Sequence, residues 1–280
     1  RQPRSRRPRA GRPARCLASA SIFCCYCATT LLIIVLLTAC QPLTVTREPV
    51  TLHVVASDAC GPLMEELARA YQTERPWVTV RVEVFDTAAA LDRLRAGGAD
   101  LAAISWAGED ARSLWTAPFA TDTIAVIVHP AVPAEEIGLA ELREVFRGRT
   151  GEWSDGTPVQ VVSREAGSGV RAIFETVVMG GYDVTLTALV VPDTAGVLEA
   201  VAITPGSIGY VPQGRLGDGV RVLPIEGRQP RPTAPEGYPL AHPLLLAVPA
   251  EPVGEVRAFI QWILGPQGQQ RVARRLGQPP

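Results

Sequence analysis

A polar, glycine-containing segment at residues 163–171 combines groups that bind anions. It contains Arg164, Ser168 and two glycines, Gly167 and Gly169. Because the pattern predicts a strand before it and a helix after it, the N–H groups of the first helical turn are unpaired and attract negative charge. Glycines let a ligand approach the backbone, and a guanidinium group can donate two hydrogen bonds to an oxyanion. Composition leaves a second interpretation open, a plain helix cap with Ser168 at the N-cap and Arg164 in solvent.

Signals for catalysis or metal binding are missing from the rest of the sequence. All 27 basic residues are Arg, so chemistry that needs a Walker lysine or a Schiff-base lysine is excluded. The three histidines have no metal-ligand spacing, and we expect them to pack on strands or at the surface: His53, His129 and His242. Gly167-Ser168-Gly169 is not the nucleophile elbow of hydrolases. We therefore expect no enzyme, no cofactor and no metal.

The first forty residues have the order of an export signal. Seven Arg lie at positions 1–15, an apolar run follows at 31–37, and Leu37-Thr38-Ala39-Cys40 resembles the lipobox of bacterial lipoproteins. The pattern predicts a signal peptide at 1–39, a lipid on Cys40 and a linker at 40–49. A plain N-terminal membrane anchor is the alternative. Both interpretations place the folded part outside the cytoplasmic membrane.

Charge and cysteine content narrow the function of this folded part. Without the seven Arg of residues 1–15, the chain has 20 basic and 28 acidic residues, which argues against a nucleic-acid binder. Cys60 is the one cysteine after position 40, so an internal disulfide and a cysteine-based metal site are both excluded. We expect Cys60 to be a partly buried, small apolar residue.

Strand and helix patterns alternate along residues 50–270. Apolar runs or alternation predict strands at 50–56, 78–85, 100–105, 124–128, 159–163, 207–211 and 243–248. Helical spacing predicts helices from Pro62 onward and at 88–96, 141–146, 170–178, 196–202 and 253–270. This order implies parallel sheets in an α/β fold.

Two of the strands are candidates for crossings between two lobes. They are the apolar runs 124–128 and 243–248, with a Pro-rich stretch at 229–239 before the second. Lobe 1 is then discontinuous, with residues 50–125 plus 240–280, and lobe 2 is residues 126–239.

Five segments in the same order resemble the phosphate-binding proteins of the ABC phosphate importer. Arg164 to Val170 resembles the family's Arg-x-x-Gly-Ser-Gly-Thr loop, and the other segments are 146–156, 205–211, 238–244 and 259–270. The resemblance implies the type II two-lobed periplasmic binding protein fold, each lobe a mostly parallel sheet flanked by helices. It also implies a monomer that captures phosphate between its lobes and delivers it to ABC permease subunits.

The resemblance implies seven ligand-binding residues: Ser57, Asp58, Thr87, Arg164, Ser168, Gly169 and Val170. Val170 stands where the family's threonine usually is. Thr87 stands where the family has a serine in a Gly-Ser-rich loop.

Trp106 is a departure from the family pattern. It occupies a place where some members have an acidic residue, whose carboxylate accepts the proton of hydrogen phosphate and helps to reject sulfate. An indole N–H can only donate. Asp58 either replaces that acceptor or caps the helix that begins near Pro62.

Two other functions stay open on these grounds. One is a receptor or sensor for another oxyanion, such as sulfate or molybdate. The other is a secreted phosphate-ester hydrolase, which needs an activated nucleophile or a metal cluster that the sequence does not offer.

Overall fold

The computed structural model describes residues 47–106, 108, 111–231, 233–235 and 237–279. The predicted signal peptide and Cys40 lie outside these residues, so both stay predictions. From Glu48 onward the chain forms one structural unit. Within the described residues, no helix has the length and apolar character needed to cross a membrane.

Strands and helices alternate through this unit. The described strands are β1 (Val50–Ser57), β2 (Val78–Phe85), β3 (Leu101–Ile104), β4 (Trp115–Val128), β5 (Gln160–Arg164), β6 (Leu189–Val191), β7 (Ser207–Pro212), β8 (Arg221–Val222) and β9 (Ala241–Val248). The described α-helices are α1 (Gly61–Glu74), α2 (Thr87–Arg95), α3 (Leu139–Phe146), α4 (Gly169–Phe174), α5 (Thr194–Ile203), α6 (Gly254–Leu264) and α7 (Pro266–Val272). Helix α4 continues into a π-helical turn, Glu175–Met179.

The strands form a mixed sheet with the order β2-β1-β3-β9-β4-β7-β5-β6, and β8 pairs with β4. Strand β1 is parallel to β2 and β3, and β5 is parallel to β6 and β7, as the strand–helix alternation predicts. Strands β4 and β9 run antiparallel to their neighbours. The sheet is therefore parallel in its outer parts, β2-β1-β3 and β7-β5-β6, and antiparallel at the central strands β9 and β4.

Strand β4 carries the chain from one lobe to the other. Its first part, Trp115–Thr123, pairs with β9, and its second part, Ile124–Val128, pairs with β7. The sequence predicted only the second part. The first part contains Pro118 and an irregularity between Pro118 and Ala120, features that weaken a strand signal.

The larger core clusters lie on either side of this crossing. One joins residues of β1, α1 and β3 to β9 and the C-terminal helices, with Tyr71 against Phe259 and Trp262. The other joins β4, α3, α4 and β7 around Phe174, whose ring stacks on Tyr210 with a centroid distance of 4.1 Å. Burying each of these large side chains contributes on the order of 2 kcal/mol or more.

The last predicted helix, 253–270, is two helices in the structure. Helix α6 ends before Gly265, and Pro266 begins α7, where its missing N–H breaks no hydrogen bond. A Cβ on Gly268 would collide with the backbone oxygen of Ile263, so a glycine is needed for the close turn. Because apolar residues keep helical spacing across this bend, the sequence predicted one continuous helix.

Buried polar groups lie at the crossing strands. Asp122 on β4 faces His242 on β9 in register, and both are buried. Burial raises the pKa of Asp122 to about 7, although the backbone N–H groups of Thr123 and Gly214 act to lower it. Burial lowers the pKa of His242 to about 4. Both side chains are therefore favoured in their neutral forms.

The Asp122→Asn substitution should remove a pH dependence of stability. Between about pH 4 and pH 7 the native state keeps a proton on Asp122 that the unfolded chain has lost, so Asp122 makes the free energy of unfolding fall as the pH rises. His242, whose pKa is lowered, has the opposite effect in both proteins. The free energy of unfolding of wild type, relative to that of the Asn variant, should therefore fall by on the order of 2–4 kcal/mol across this range. Urea unfolding across this pH range measures it. Asp92→Asn, at an exposed carboxylate, is the control, and equal slopes for D122N and wild type would refute the assignment.

Candidate anion-binding site

A small cavity lies where the carboxyl ends of β1, β2, β3 and β5 meet the N-termini of α1, α2 and α4. This edge of an open α/β sheet is where such folds bind ligands. The space between its lining atoms amounts to about 170 Å³, part of which is open to solvent. It is lined by Ser57, Asp58, Ala59, Asp86, Thr87, Ser105, Arg164, Ser168, Gly169 and Val170. The structure therefore brings together all seven residues that the sequence assigned to ligand binding.

The loop between β5 and α4 has features of both roles that composition left open, a helix cap and an anion-binding site. Ser168 is the N-cap of α4, and its hydroxyl accepts a hydrogen bond from the backbone N–H of Arg171 at 3.3 Å. Arg164 is not in solvent, because only 1% of it is exposed. The loop is thus a helix cap that also contributes a buried cation to the cavity.

The guanidinium group of Arg164 is fixed on three sides. Its Nη1 donates to Asp58 Oδ2 at 3.1 Å and to Thr194 Oγ1 at 3.2 Å, and its Nη2 donates to the carbonyl of Pro192 at 2.9 Å. Its Nε is buried and has no hydrogen-bond partner among the described residues. A buried N–H without a partner is costly. Of the five guanidinium N–H groups, the Nε–H and one N–H of Nη2 therefore remain for a ligand, and the Nε–H is buried.

Hydroxyl groups supply further donors to the cavity. Ser57 is 2% exposed, and its Oγ has no hydrogen-bond partner within the described part of the chain. Thr87 and Ser105 are also buried, with their hydroxyl oxygens 3.5 Å apart. Hydroxyl groups can donate to an anion or accept from a protonated one. The sequence analysis missed Ser105, although its place after the buried strand β3 was a usable signal.

Asp58 does not cap α1, so that interpretation was wrong. The N-cap of α1 is Cys60, and no side chain caps this helix. The Oδ2 of Asp58 instead accepts hydrogen bonds from the backbone N–H of Thr194 at 3.0 Å and from its hydroxyl at 2.5 Å, besides that from Arg164. A carboxylate at the N-terminus of α5 is also favoured by the helix dipole.

Asp86 is a second carboxylate on the cavity wall, and the sequence analysis missed it. Its Oδ1 accepts from the backbone N–H of Ala89 at 2.7 Å, which makes it the N-cap of α2. A Cβ on Gly167 would lie 2.9 Å from the atoms of this carboxylate. The Asp preceding a predicted helix was a capping signal, but its closeness to Gly167 depends on the tertiary fold.

Trp106 lies outside the cavity wall. Its neighbour Ser105 lines the cavity, while Trp106 is 36% exposed and lines the adjoining clefts.

Cys60 is fully buried, not partly, and burial raises the pKa of its thiol to about 12. Such a thiol stays protonated and is a poor nucleophile. Among the described residues, no group of three His, Cys, Asp or Glu side chains could hold a metal ion.

The two lobes touch directly beside the cavity. The backbone N–H of Ala88 donates to the carbonyl of Gly167 at 3.1 Å. A Cβ on Gly169 would collide with the hydroxyl of Thr87 and lie 2.6 Å from that of Ser105. A glycine is therefore required for this close approach.

The fold and this site define a two-lobed binding protein of the α/β class, with a ligand cavity between its lobes. The family model described as a PBP superfamily domain matches residues 44–267. The chain belongs to this superfamily of periplasmic binding proteins, as the sequence resemblance implied.

Three relatives of similar sequence or structure are substrate-binding proteins, a class without catalytic activity. The phosphate-binding protein PstS of Bacillus subtilis is 24% identical over 242 residues, which cover 82% of this chain and 80% of the relative. A phosphate ABC transporter substrate-binding protein from Clostridium perfringens, solved with bound phosphate, is 25% identical with a TM-score of 0.76, and the match covers 81% of this chain and 99% of that one. An ABC-type phosphate transport receptor from Vibrio cholerae is also 25% identical, with a TM-score of 0.67 and coverage of 80% and 98%.

The Gly169→Ala substitution should hold the lobes apart. The added methyl group would overlap the Thr87 and Ser105 side chains, and the least costly relief is a wider cleft. We expect a larger radius of gyration in small-angle X-ray scattering, with a thermal midpoint within about 3 °C of wild type because Ala is accepted at a helix start. The control is Gly138→Ala, where a Cβ meets nothing within 4 Å. A G169A variant with the wild-type scattering curve would contradict this geometry.

Proposed function

We propose that this protein is an extracytoplasmic solute-binding lipoprotein that captures inorganic phosphate between its lobes and delivers it to an ABC importer. The observation that carries the proposal is a pair of buried donors that line the same cavity from opposite lobes, Arg164 Nε and Ser57 Oγ, neither with a partner among the described residues. Satisfying them requires an acceptor within the cavity. A tetrahedral oxyanion offers acceptors in several directions at once.

The proposed ligand contacts come from both lobes. Ser57, Asp58 and Thr87 line the cavity from the loops after β1 and β2, and the remainder lie on the β5–α4 loop: Arg164, Ser168, Gly169 and Val170. Each hydrogen bond between a charged group and the anion contributes about 1.5–3 kcal/mol. Several such bonds, less the costs of ordering and desolvation, give roughly micromolar affinity or better.

Carboxylates on the wall favour an oxyanion that carries a proton. Asp58 and Asp86 both line the cavity, and the charge of Asp58 is offset by its ion pair with Arg164. The one hydrogen bond found for Asp86 among the described residues is that from Ala89, so this carboxylate has acceptor capacity left. We propose that Asp86, rather than Trp106, is the better placed acceptor for the proton of hydrogen phosphate, and Asp58 is the second candidate.

Capture then follows from closure about the crossing strands β4 and β9. We propose residues 50–125 plus 240–280 as lobe 1 and residues 126–239 as lobe 2. Direct contacts such as Ala88 with Gly167 support a closed state in which the cavity is screened from solvent. The closed monomer would then present both lobes to the ABC permease.

Export and anchoring are further parts of the proposal. The Arg-rich start, the apolar run and the Cys40 motif support a signal peptide with lipid attachment to Cys40. The phosphate-binding relatives support a location outside the cytoplasmic membrane. We also propose that the chain is not an enzyme, which the class of its relatives supports.

Removing Arg164 should weaken phosphate binding strongly. Arg164→Ala takes away the buried cation and should cost about 2–5 kcal/mol of binding free energy by isothermal titration calorimetry. The control is Arg149→Gln, an exposed Arg paired with Glu144. Unchanged phosphate affinity in R164A would remove this residue from the site.

Ser57→Ala separates binding from stability. Loss of an unpartnered buried hydroxyl should leave the ligand-free melting temperature unchanged or slightly higher, because no hydrogen bond is lost. Phosphate affinity should fall about five- to thirtyfold, the equivalent of about 1–2 kcal/mol. Differential scanning fluorimetry and calorimetry on the same sample provide both values. A variant that loses stability but not affinity would assign Ser57 a structural role.

Competition among oxyanions tests the ligand class. Phosphate and arsenate, which can carry a proton at neutral pH, should bind alike, while sulfate should compete at least about tenfold more weakly because it cannot donate to a wall carboxylate. Asp86→Asn should reduce this preference. Equal competition by sulfate or molybdate would favour the other oxyanion receptor instead.

A further inference from the structure

A single carboxylate joins two guanidinium groups beside the cavity. Asp58 Oδ2 lies 3.1 Å from Arg164 Nη1, and Asp58 Oδ1 lies 3.4 Å from Arg215 Nη2. Asp58 follows β1, whereas Arg215 ends the 3₁₀ turn Gln213–Arg215 after β7. The two oxygens of one side chain therefore reach two separate elements on the far side of the cleft.

The charges of the cavity wall do not by themselves suit an anion. Its charged side chains are Asp58, Asp86 and Arg164, which sum to one negative charge. Arg215 does not line the cavity, but its ion pair with Asp58 brings the sum to zero. The nearby Arg171 is paired with Glu175 at 2.7 Å, so this pair adds no net charge. Without Arg215, an entering anion would meet a net negative wall.

The position of Asp58 also sets the orientation of Arg164. Asp58 and Thr194 occupy Nη1 of Arg164, and its buried Nε–H has no partner among the described residues. Arg215 attracts the second oxygen of Asp58 across 3.4 Å, an ion pair that disfavours rotation of the carboxylate away from Arg164.

We propose that Arg215 is a positioning residue of the anion site, which holds Asp58 against Arg164 and offsets its charge without contacting the ligand. This inference rests on the proposed function. Because the Arg215 side chain is 30% exposed, its electrostatic contribution is screened by salt. Its contribution to phosphate affinity should therefore be larger at low ionic strength than at high.

The test uses Arg215→Gln, with Arg215→Lys as the charge-preserving variant and Arg149→Gln as the control for loss of an exposed Arg. Calorimetry with inorganic phosphate, at low and at high salt, measures each dissociation constant. We expect R215Q to bind about tenfold more weakly at low salt, with a smaller difference at high salt. R215K should recover most of the affinity, and R149Q should match wild type. A purely structural role would not produce this dependence on salt and charge.

A double-mutant cycle locates the effect at Asp58. R215Q should have a smaller effect when combined with Asp58→Asn, because the partner charge is already gone. Fully additive effects, or an R215Q affinity within twofold of wild type at low salt, would overturn the proposal.

Failure of the proposed function would give a different result. If wild-type protein releases no heat with phosphate, the function proposal fails, and the Arg215 proposal is then judged on ligand-free protein. In that case, R215Q and D58N should both increase the radius of gyration in X-ray scattering at low salt, since each breaks a contact across the cleft. Unchanged scattering in both variants would overturn the Arg215 proposal.

Discussion

The buried guanidinium group of Arg164 is the constraint on which the site depends. Burying a charge costs several kcal/mol unless partners offset it. Here the partners come from three elements: the Asp58 carboxylate after β1, the Pro192 carbonyl after β6 and the Thr194 hydroxyl at the start of α5. The loops must therefore meet around this group, and the N–H groups left without a protein partner, among them the buried Nε–H, indicate where we propose that an anion binds.

The cavity is small, and the donors that line it are held in place by the fold. In the proposed site an anion would meet hydroxyl groups and the remaining N–H groups of Arg164, which lie at the ends of strands and helices. Prepositioned donors lose little entropy on binding and favour an anion of one shape. The absence of Cβ atoms at Gly167 and Gly169 lets the second lobe close on Asp86 and Thr87. Shape, charge and closure thus depend on the same few residues.

The crossing strands have a different role from the site. Asp122 and His242 are buried where β4 and β9 join the lobes, and burial favours the neutral form of each. Burial of these two side chains lowers the stability of the fold. The free energy of unfolding should therefore depend on pH through them, whereas the contacts of the anion should not. The chain therefore separates the elements that permit closure from those that recognise the ligand.

The sequence by itself determined the strand–helix order, the strands β1 and β2 almost to the residue, and the loop that contains Arg164 and Ser168. These features are local. The alternation of apolar and polar residues, capping residues and glycines each favour a particular backbone conformation over a few neighbouring residues. The five segments that resemble the family added the two-lobed fold and the place of the proposed site, since their order is kept even where single residues such as Trp106 depart from the pattern.

Only the tertiary structure decided which residues meet. Asp58 does not cap its own helix, and its carboxylate reaches Thr194, Arg164 and Arg215, which lie 106 or more positions away. Asp86 and Ser105 also line the cavity because the tertiary fold brings their loops to it. Contacts between distant segments depend on how strands order themselves in a sheet, and no local pattern of residues encodes that order.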